Sequence, residues 1–428
     1  MNPLLTDPQG RFRQLFSFRH IDRPFWILFF ILIIVAIIAL FSAGSTLAYN
    51  AGTSAVSPIL NQMIFILIGA ALAFCIQYVP TWMIRGAGYL LLAVTLLMLY
   101  SMLIPGNPFV KTINGAGRWF SLFGFTFQPS ELAKLSLIIV VADLLTRIRS
   151  SEDARRYFYW TLGLTVVTVF PILVGNLSTA LLMAGVILLM WFLARLPWKY
   201  ILSTIGIAAL VMVLGYTIVE FGFIRQHRTI KSGPFKRAIT WVGRVDDLFE
   251  ERNQDAAEFK LTDDNYQRSI AKVAVARGGK SPFGVLPGNS KERDYLPLAF
   301  ADYIFAIIVE ETGIIGAGFL IFLYLAILFR ACFASSRYAD YQAMLMVMGL
   351  ALMLTCQALI SMAVAVGIGP VTGQPLPMIS KGGTSVIITS LYFGIMMAVA
   401  REQNELRARQ QAIIDDSYND APDIELDN

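Results

Sequence analysis

The chain has 428 residues, of which 56% are hydrophobic and only 15% are charged, and its mean hydropathy is +0.63. A soluble domain carries about 25% charged residues, so this composition excludes an ordinary soluble protein and indicates a polytopic membrane protein. The three cysteines lie within apolar runs, and the chain has only two histidines. These counts argue against a disulfide framework, a zinc site and a Ser/His/Asp triad.

Ten apolar runs predict an all-α fold with about ten transmembrane helices. They occupy residues 25–43, 59–79, 87–104, 132–146, 157–174, 177–194, 200–221, 303–333, 342–366 and 386–400. Only Gly175 and Asn176 separate the fifth run from the sixth, so we expect a tight hairpin there; counts of nine or eleven also fit the pattern. The first run is too long for the apolar part of a cleavable signal and is expected to remain as an anchor.

Basic residues fall in every second short loop, which predicts the sidedness of the bundle. They precede the first run and follow the fourth, sixth and eighth, whereas residues 44–58 and 175–176 contain no Lys or Arg. Both termini are therefore expected to be cytoplasmic. The predicted segments are a cytoplasmic N-terminus at 1–24, spans one to seven at 25–221, a large extracytoplasmic loop at 222–302, spans eight to ten at 303–400, and a cytoplasmic tail at 401–428 that begins as a helix.

The large loop is rich in both signs of charge. Within it we predict a helix that is capped by Asp263 or Asp264 and stops at Gly278 and Gly279. One side of this helix is apolar and the other basic, with Tyr266, Ile270, Val273 and Ala274 against Arg268 and Lys272. This pattern is typical of an amphipathic segment on a membrane surface. The loop as a whole fits either a solvated cap over the bundle or a direct contact with substrate.

Three acids precede an apolar run of 18 residues, Thr312–Phe329. They are Asp302, Glu310 and Glu311. Because this run nearly fills a bilayer core, Asp302 should lie about 15 Å beyond its start, at the depth of the lipid headgroups. An ionisable side chain at a membrane boundary indicates a functional site. Alternatively, Asp302 could simply cap the helix N-terminus.

A second polar stretch is predicted on the same side, before the fourth run. Small residues flank Arg118 and Trp119. In the helix that follows, Glu131 and Lys134 are three residues apart and share a face. Two interpretations stay open: the pair neutralises itself on the helix surface, or a cation of this stretch holds a phosphate.

The third stretch lies between the last two spans and reads GIGPVTGQPLPMISKGGTS from residue 367 to residue 385. So much Gly and Pro at membrane depth is tolerated only where the backbone is buried in protein or lines a polar cavity. Lys381, Thr384 and Ser385 could donate hydrogen bonds to an anion there. A re-entrant turn with a purely structural role is the alternative.

Together these stretches resemble the SEDS family of cell-wall polymerases. The resemblance is carried by FQPSELAK after GAGRW, by YQRSIAKVAVARGGKSPFG leading to LPLAFADYIFAIIVEETG, and by PLPMISKGGTS before the last span. It covers essentially the whole membrane part of the chain. It implies a SEDS-type bundle and a peptidoglycan glycosyltransferase that polymerises lipid II, a disaccharide-pentapeptide on undecaprenyl pyrophosphate, at the outer face of the bacterial inner membrane.

The resemblance also implies partners, namely a class B penicillin-binding protein that acts as transpeptidase and other membrane proteins of the division machinery. Long apolar faces along the eighth and ninth spans are the surface on which we expect partner helices to pack.

Site residues follow from the resemblance together with the chemistry of the three stretches. Asp302 matches the essential acid of the family, and we expect it to act as general base or as ligand of a divalent cation such as Mg²⁺. The expected substrate-binding residues are Arg118, Trp119, Glu131, Lys134, Glu310, Glu311, Ser380, Lys381, Thr384 and Ser385.

The chain departs from the family pattern at several positions. Phe300 stands where His is usual, Lys381 where Tyr is common, and Gly175-Asn176 where Pro-Asp usually opens the sixth span. The extended tail and the KGGTS motif resemble division-associated members of the Bacteroidetes type. Membership of the elongation-associated branch stays open as an alternative.

Two other functions are considered, a lipid II flippase and a non-catalytic scaffold of the division machinery. Charges at midplane depth on several spans would favour a flippase. The candidate charges cluster at one face instead, which favours an enzyme.

Overall fold

The computed structural model describes residues 21–51, 56–104, 106–113, 116–122, 125–221, 239, 242–243, 265–296 and 302–419. Every one of the ten predicted runs forms a helix. Before the large loop the helices are α1 (Arg23–Ala51), α2 (Val56–Ile76), α3 (Thr81–Ser101), α4 (Pro129–Leu145), α5 (Ser151–Gly175), α6 (Leu177–Leu193) and α7 (Trp198–Val219). After it come α8 (Tyr266–Gly278), α9 (Ile304–Ser335), α10 (Tyr341–Ala365) and α11 (Gly383–Asn419).

Seven helices of the described part are long and apolar enough to cross a membrane: α1, α3, α5, α7, α9, α10 and α11. Two shorter apolar stretches are Leu60–Ile76 of α2 and Leu177–Leu193, which is α6. The tight hairpin between α5 and α6 is confirmed, because the Asn176 side chain accepts a hydrogen bond from the Thr179 backbone N–H at 3.3 Å and so caps α6. Helix α11 runs on to Asn419, which confirms the helical start of the tail; residues 420–428 lie outside the described part.

Helices α4 and α10 form the centre of the bundle. In α4, 15 of 17 residues are buried, as expected for a helix enclosed by others on all sides. Two glycines allow the close approach: a Cβ at Gly88 of α3 would press on Ile139, and one at Gly349 of α10 would press on Ile138. Small residues at helix crossings are the usual way for membrane helices to pack closely.

The surface expected for partner helices is present on only one of the two predicted spans. Helix α9 exposes large apolar side chains, among them Ile314, Phe322 and Phe329. Helix α10, all of whose residues the structure describes, has 72% of its span buried against the other helices. The prediction of a long apolar face on α10 is therefore wrong.

A small antiparallel sheet lies between α3 and α4, where the sequence predicted only a loop. Its strands are β1 (Val110–Ile113), β2 (Ala116–Leu122) and β3 (Phe125–Phe127), in the order β1-β2-β3. The buried Phe120 of β2 stacks on Phe109 with ring centroids 5.7 Å apart. The dipeptide Asn114-Gly115 between β1 and β2 is a strong hairpin signal that could have predicted the pairing of these two strands. The predicted all-α bundle is confirmed with this one addition.

The predicted helix of the large loop is α8, and it ends at Gly278 as expected. Its N-cap position is Asn265, while Asp263 and Asp264 lie outside the described residues.

The predicted apolar and basic sides of α8 do not match its burial. Its buried residues include Arg268, Ala271 and Ala274, and Val273 is 49% exposed. The helix packs on α9. Small residues make this contact possible, since a Cβ at Gly278 would overlap the carbonyl oxygen of Val309.

Candidate active site

Helix α9 is interrupted at Gly313, where φ is 70° and ψ is −160°. A side chain there would overlap the backbone of residues 281–284, so the close approach requires glycine. The loop after α8 covers the break: the Val285 N–H donates to the Glu310 carbonyl at 2.9 Å. Irregular backbone at membrane depth is tolerated when protein covers it in this way.

The Glu310 side chain is fully buried and bonded to this loop. It accepts hydrogen bonds from the Ser290 hydroxyl and from the Lys291 N–H at 3.2 Å, and it pairs with Arg277 at 3.3 Å. These donors come from α8 and from the loop that leads towards Asp302. Glu310 therefore holds this loop against α9.

The neighbouring acid, Glu311, connects the same loop to the first helix. Its carboxylate accepts hydrogen bonds from the Ser42 hydroxyl of α1 and from the Gly288 N–H at 3.2 Å. Arg293 lies 3.7 Å from the carboxylate and donates to the Ser42 carbonyl at 3.0 Å. Both predicted substrate-binding acids thus bind protein donors, and they fix residues 281–293 shortly before Asp302.

Asp302 is half-buried and precedes α9, whose N-cap position is Tyr303. Asp302 thus lies one residue before the N-cap position of this helix. Its carboxylate oxygen Oδ2 lies 3.7 Å from the point that a Cβ would occupy at Gly373. Gly373 has φ of +60°, so a glycine brings the backbone between α10 and α11 next to the acid.

Residues 366–382, here called the 366–382 segment, are non-helical and connect α10 to α11. Side chains of three helices hold this segment. The bonds are Gln357 Nε2 to the Pro375 carbonyl at 3.0 Å, Gln374 Nε2 to Thr179 Oγ1, and Tyr324 Oη to the Pro377 carbonyl. Contact with protein is one of the two surroundings, protein or a polar cavity, that the sequence predicts for such Gly- and Pro-rich backbone.

Glu131 and Lys134 pair as their spacing predicted, with 2.8 Å between Nζ and Oε1. The prediction that this pair lies on the helix surface is wrong, because the Lys134 side chain is only 1% exposed. Lys134 Nζ also donates to Gln357 Oε1 at 2.7 Å. A chain of polar contacts therefore runs from Glu131 through Lys134 and Gln357 to the 366–382 segment. Gln357 was missed by the sequence reasoning.

The last predicted group lies where the segment meets α11. The Ser380 hydroxyl accepts a hydrogen bond from the Leu376 N–H at 2.9 Å, which closes a turn within the segment. Lys381, Thr384 and Ser385 are half-buried around the N-terminus of α11, where backbone N–H groups favour anions. Burial lowers the pKa of the Lys381 ammonium below its usual value.

Arg118 and Trp119 lie on β2, which contacts α4 and α5. Arg118 Nε donates to the Gly175 carbonyl at 2.8 Å and so attaches the sheet to the α5–α6 hairpin. Trp119 is half-buried and faces Lys111 in the strand ladder. Both residues lie at the end of the bundle where α4 begins, which is also the end that carries the 366–382 segment.

No group of three or more His, Cys, Asp or Glu side chains converges as a metal site among the residues that the structure describes. Asp302 is the residue that the sequence assigns to a divalent cation, with phosphate oxygens of a substrate as further ligands. Mg²⁺ is often bound in this way, by one or two carboxylates together with phosphate oxygens.

The fold and the site together define a polytopic membrane protein with a carboxylate and several cations at one end of its helical bundle. The model of the FtsW/RodA/SpoVE family of cell cycle proteins matches residues 22–405. The probable peptidoglycan glycosyltransferase FtsW of Saccharophagus degradans is 32% identical over 423 residues, covering 96% of this chain and 97% of the relative. That of Enterococcus hirae is 30% identical over 386 residues, covering 88% and 91%. The chain therefore belongs to the FtsW/RodA/SpoVE family, which confirms the SEDS resemblance.

Solved structures agree with this assignment. A chain of a peptidoglycan synthase complex that coordinates polymerization and crosslinking superposes with a TM-score of 0.70 at 25% identity, covering 90% of this chain and 99% of that one. The rod shape determining protein RodA of Thermus thermophilus gives a TM-score of 0.62 at 24% identity, with 90% and 98% covered. The SEDS-type membrane fold is confirmed.

Proposed function

We propose that this protein is a peptidoglycan glycosyltransferase that polymerises lipid II at the outer face of the bacterial inner membrane, in septal wall synthesis during cell division. Family membership and the FtsW relatives support the activity and the division role. The observation that carries the proposal is the half-buried Asp302 carboxylate beside Gly373. With the Asp302 end of the bundle at the outer face, both termini are cytoplasmic, as the basic loops predict.

The reaction joins the 4-hydroxyl of an acceptor sugar to the anomeric carbon of a donor sugar. The bond from that carbon to the pyrophosphate oxygen breaks, and undecaprenyl pyrophosphate leaves with the bonding electron pair. The acceptor hydroxyl must lose its proton as it attacks, and Asp302 is the proposed base that accepts it. A positioned base contributes about a hundredfold to ten-thousandfold in rate.

The leaving pyrophosphate gains negative charge as the bond breaks, and cations near it lower the barrier. Arg118 and Lys381 are the proposed cations, with hydrogen bonds from Thr384 and Ser385. Trp119 is proposed to stack on a sugar ring. Mg²⁺, when bound, would add charge neutralisation at Asp302 and the pyrophosphate.

The other predicted residues fit a positioning role better than direct contact with substrate. Lys134 is buried and bonded to Glu131 and Gln357, and the carboxylates of Glu310 and Glu311 are occupied by protein donors. We assign these residues to holding the 366–382 segment and the loop before Asp302. Placement of the acid relative to both substrates depends on that backbone, since small displacements of a catalytic group reduce the rate strongly.

A class B penicillin-binding protein and other division membrane proteins are the proposed partners. Support comes from the similarity to a chain of a complex that coordinates polymerization and crosslinking. The exposed apolar face of α9 is the proposed surface for a partner helix.

The flippase and scaffold alternatives are less well supported. Among the described residues, most buried charged side chains lie near an end of a predicted apolar run, as with Glu131, Asp143 and Arg401. A flippase would require charges along a path through the bilayer. A pure scaffold would have no need for a half-buried carboxylate held next to a glycine-rich segment.

The direct test is polymerisation of labelled lipid II by the purified protein, alone and with its transpeptidase partner, followed on a gel. Asp302→Ala should abolish glycan strands while membrane insertion and partner binding remain. Long strands from this variant would end the assignment of Asp302 as base. No strands from the wild type under any of these conditions would favour the alternatives.

A further inference from the structure

Two arginines share one buried carboxylate at the end of the bundle opposite to Asp302. Asp143 lies in the last turn of α4 and is 2% exposed. Its Oδ1 is 3.3 Å from Arg85 of α3, and its Oδ2 is 2.6 Å from Arg147, just after α4. Asp143 follows Glu131 by 12 residues, so about 18 Å of helix separates this cluster from Glu131, which lies at the end that carries the 366–382 segment.

The cluster keeps a surplus of one positive charge, because one carboxylate faces two guanidinium groups. The side chains of Arg85 and Arg147 are 42% and 51% exposed, so both reach the surface. Each binds a different oxygen of Asp143, which fixes the two guanidinium groups side by side. A guanidinium has five N–H donors, and one bond to Asp143 leaves several of them for a further anion.

The surroundings of the cluster are rigid. Tyr89 Oη donates to Asp143 Oδ2 at 2.8 Å. One turn deeper, α3 and α4 cross closely at Gly88, where a Cβ would press on Ile139. Arg85 lies on α3 and Arg147 lies just after α4, so the close packing of these two helices holds the arginines near each other.

The exposed neighbours place the cluster at the membrane boundary. Trp82 lies about one turn from Arg85 on the side towards the helix end and is 64% exposed, whereas Leu90 lies on the other side and is 68% exposed. Exposed tryptophan marks the headgroup level and exposed leucine the lipid tails. The guanidinium groups therefore lie at the depth of lipid phosphates.

We propose that Arg85 and Arg147 bind the phosphate of an anionic phospholipid of the inner leaflet. The planar guanidinium fork matches phosphate oxygens, and basic sites between membrane helices on the cytoplasmic side suit such headgroups. Asp143 orients the two arginines and is not itself a ligand of the lipid. The lipid stabilises the α3–α4 contact from the surface.

The test is native mass spectrometry of the purified full chain with cardiolipin, phosphatidylglycerol or phosphatidylcholine. The wild type should retain the two anionic lipids in preference to phosphatidylcholine. Removing Arg85 and Arg147 alone would leave Asp143 buried and unpaired, so the informative variant is the triple change Arg85→Gln, Arg147→Gln and Asp143→Asn. Its affinity for cardiolipin should fall about thirtyfold.

Lys199→Gln is the matched control, because it removes an exposed cation from the first turn of α7, on the same side of the bundle. It should bind cardiolipin as the wild type does. Gel filtration and a thermal melt show whether the triple variant is folded. A folded triple variant with wild-type lipid affinity overturns the proposal, and so does displacement of the lipid by equimolar inorganic phosphate.

Discussion

At the Asp302 end of the bundle, buried charged residues bond to irregular backbone as well as to cations, whereas at the opposite end they bond to arginines and to helix N-termini. Glu310 accepts from the Lys291 N–H, and Lys134 acts through Gln357 on the Pro375 carbonyl. These contacts hold glycine-rich segments in shapes that no regular helix provides. Such segments can bring backbone close to a reacting group, and this requires their polar groups to be satisfied by buried partners.

The opposite end shows the other use of buried acids. Asp22 accepts from the Phe25 N–H at 3.2 Å, which caps α1, and also pairs with Arg330 at the far end of α9. The half-buried Glu402 of α11 accepts from the backbone N–H and the hydroxyl of Thr81, at 2.8 and 2.9 Å, at the start of α3. These acids tie helix ends together. We therefore expect changes at this end to affect stability, and changes at the Asp302 end to affect turnover as well.

Among the residues that hold the 366–382 segment, the Glu131–Lys134 pair of α4 is expected to have the largest effect on stability and turnover. Lys134→Met leaves Glu131 buried and unpaired, which should cost about 3–5 kcal/mol of unfolding free energy and abolish polymerisation. The double variant Glu131→Gln, Lys134→Met removes both charges and should recover most of the stability. Its turnover should stay low, since Gln357 has lost the lysine that orients it. Thermal melts and lipid II polymerisation measure the two properties separately.

The matched control for this experiment is the double variant Asp22→Asn, Arg330→Gln at the other end. It should lose some stability and keep its turnover per folded molecule. Equal losses of turnover in the two double variants would remove the distinction between the ends.

A smaller loss of turnover is expected at Gln357. Two variants distinguish its bond to Lys134 from its bond to the Pro375 carbonyl. Gln357→Leu loses both and leaves buried polar groups unsatisfied, at a cost of about 1–3 kcal/mol, with turnover reduced about tenfold. Gln357→Glu keeps an acceptor for Lys134 but loses the donor to Pro375, so it should not restore turnover. Gln342→Leu, a buried position at the opposite end of the same helix, serves as control. Normal turnover of both Gln357 variants would show that the bond to the segment is dispensable.

The smallest effect concerns the pH dependence of turnover. Because burial lowers the pKa of Lys381, its ammonium loses its proton at a lower pH than an ordinary lysine. If this cation stabilises the leaving pyrophosphate, turnover should fall on the alkaline side as pH rises through the lowered pKa. Lys381→Arg keeps the charge and should move that fall to higher pH. Initial rates between about pH 7 and 10 measure it; identical profiles would exclude Lys381 from the charge stabilisation.

Helix positions were largely predictable, because an apolar run of membrane length has few alternatives to a helix. The Glu131–Lys134 pair was predictable for the same local reason, since three residues of helix fix their relative position. The strands between α3 and α4 are short, and their clearest signal was the Asn114-Gly115 dipeptide. Local patterns of this kind depend only on neighbours in the chain.

Burial in the site depends on distant parts of the chain and was not predictable in the same way. The sequence gives no sign that Lys134 meets Gln357 of α10, or that α8 turns its alanines towards α9. Glu310 and Glu311 were expected to face substrate because acids near lipid often do. Their donors, Ser290 and Ser42, lie 20 and 269 residues away, so only the fold reveals that the carboxylates are occupied.

The most direct test of the central claim compares two acid-to-amide changes, one at each end of the bundle. Initial rates of glycan formation would be measured on the same labelled lipid II for folded wild type, Asp302→Asn and Asp22→Asn. We predict that Asp302→Asn is at least about a hundredfold slower, whereas Asp22→Asn stays within about twofold of the wild type. An Asp302→Asn rate close to that of the wild type would contradict the account.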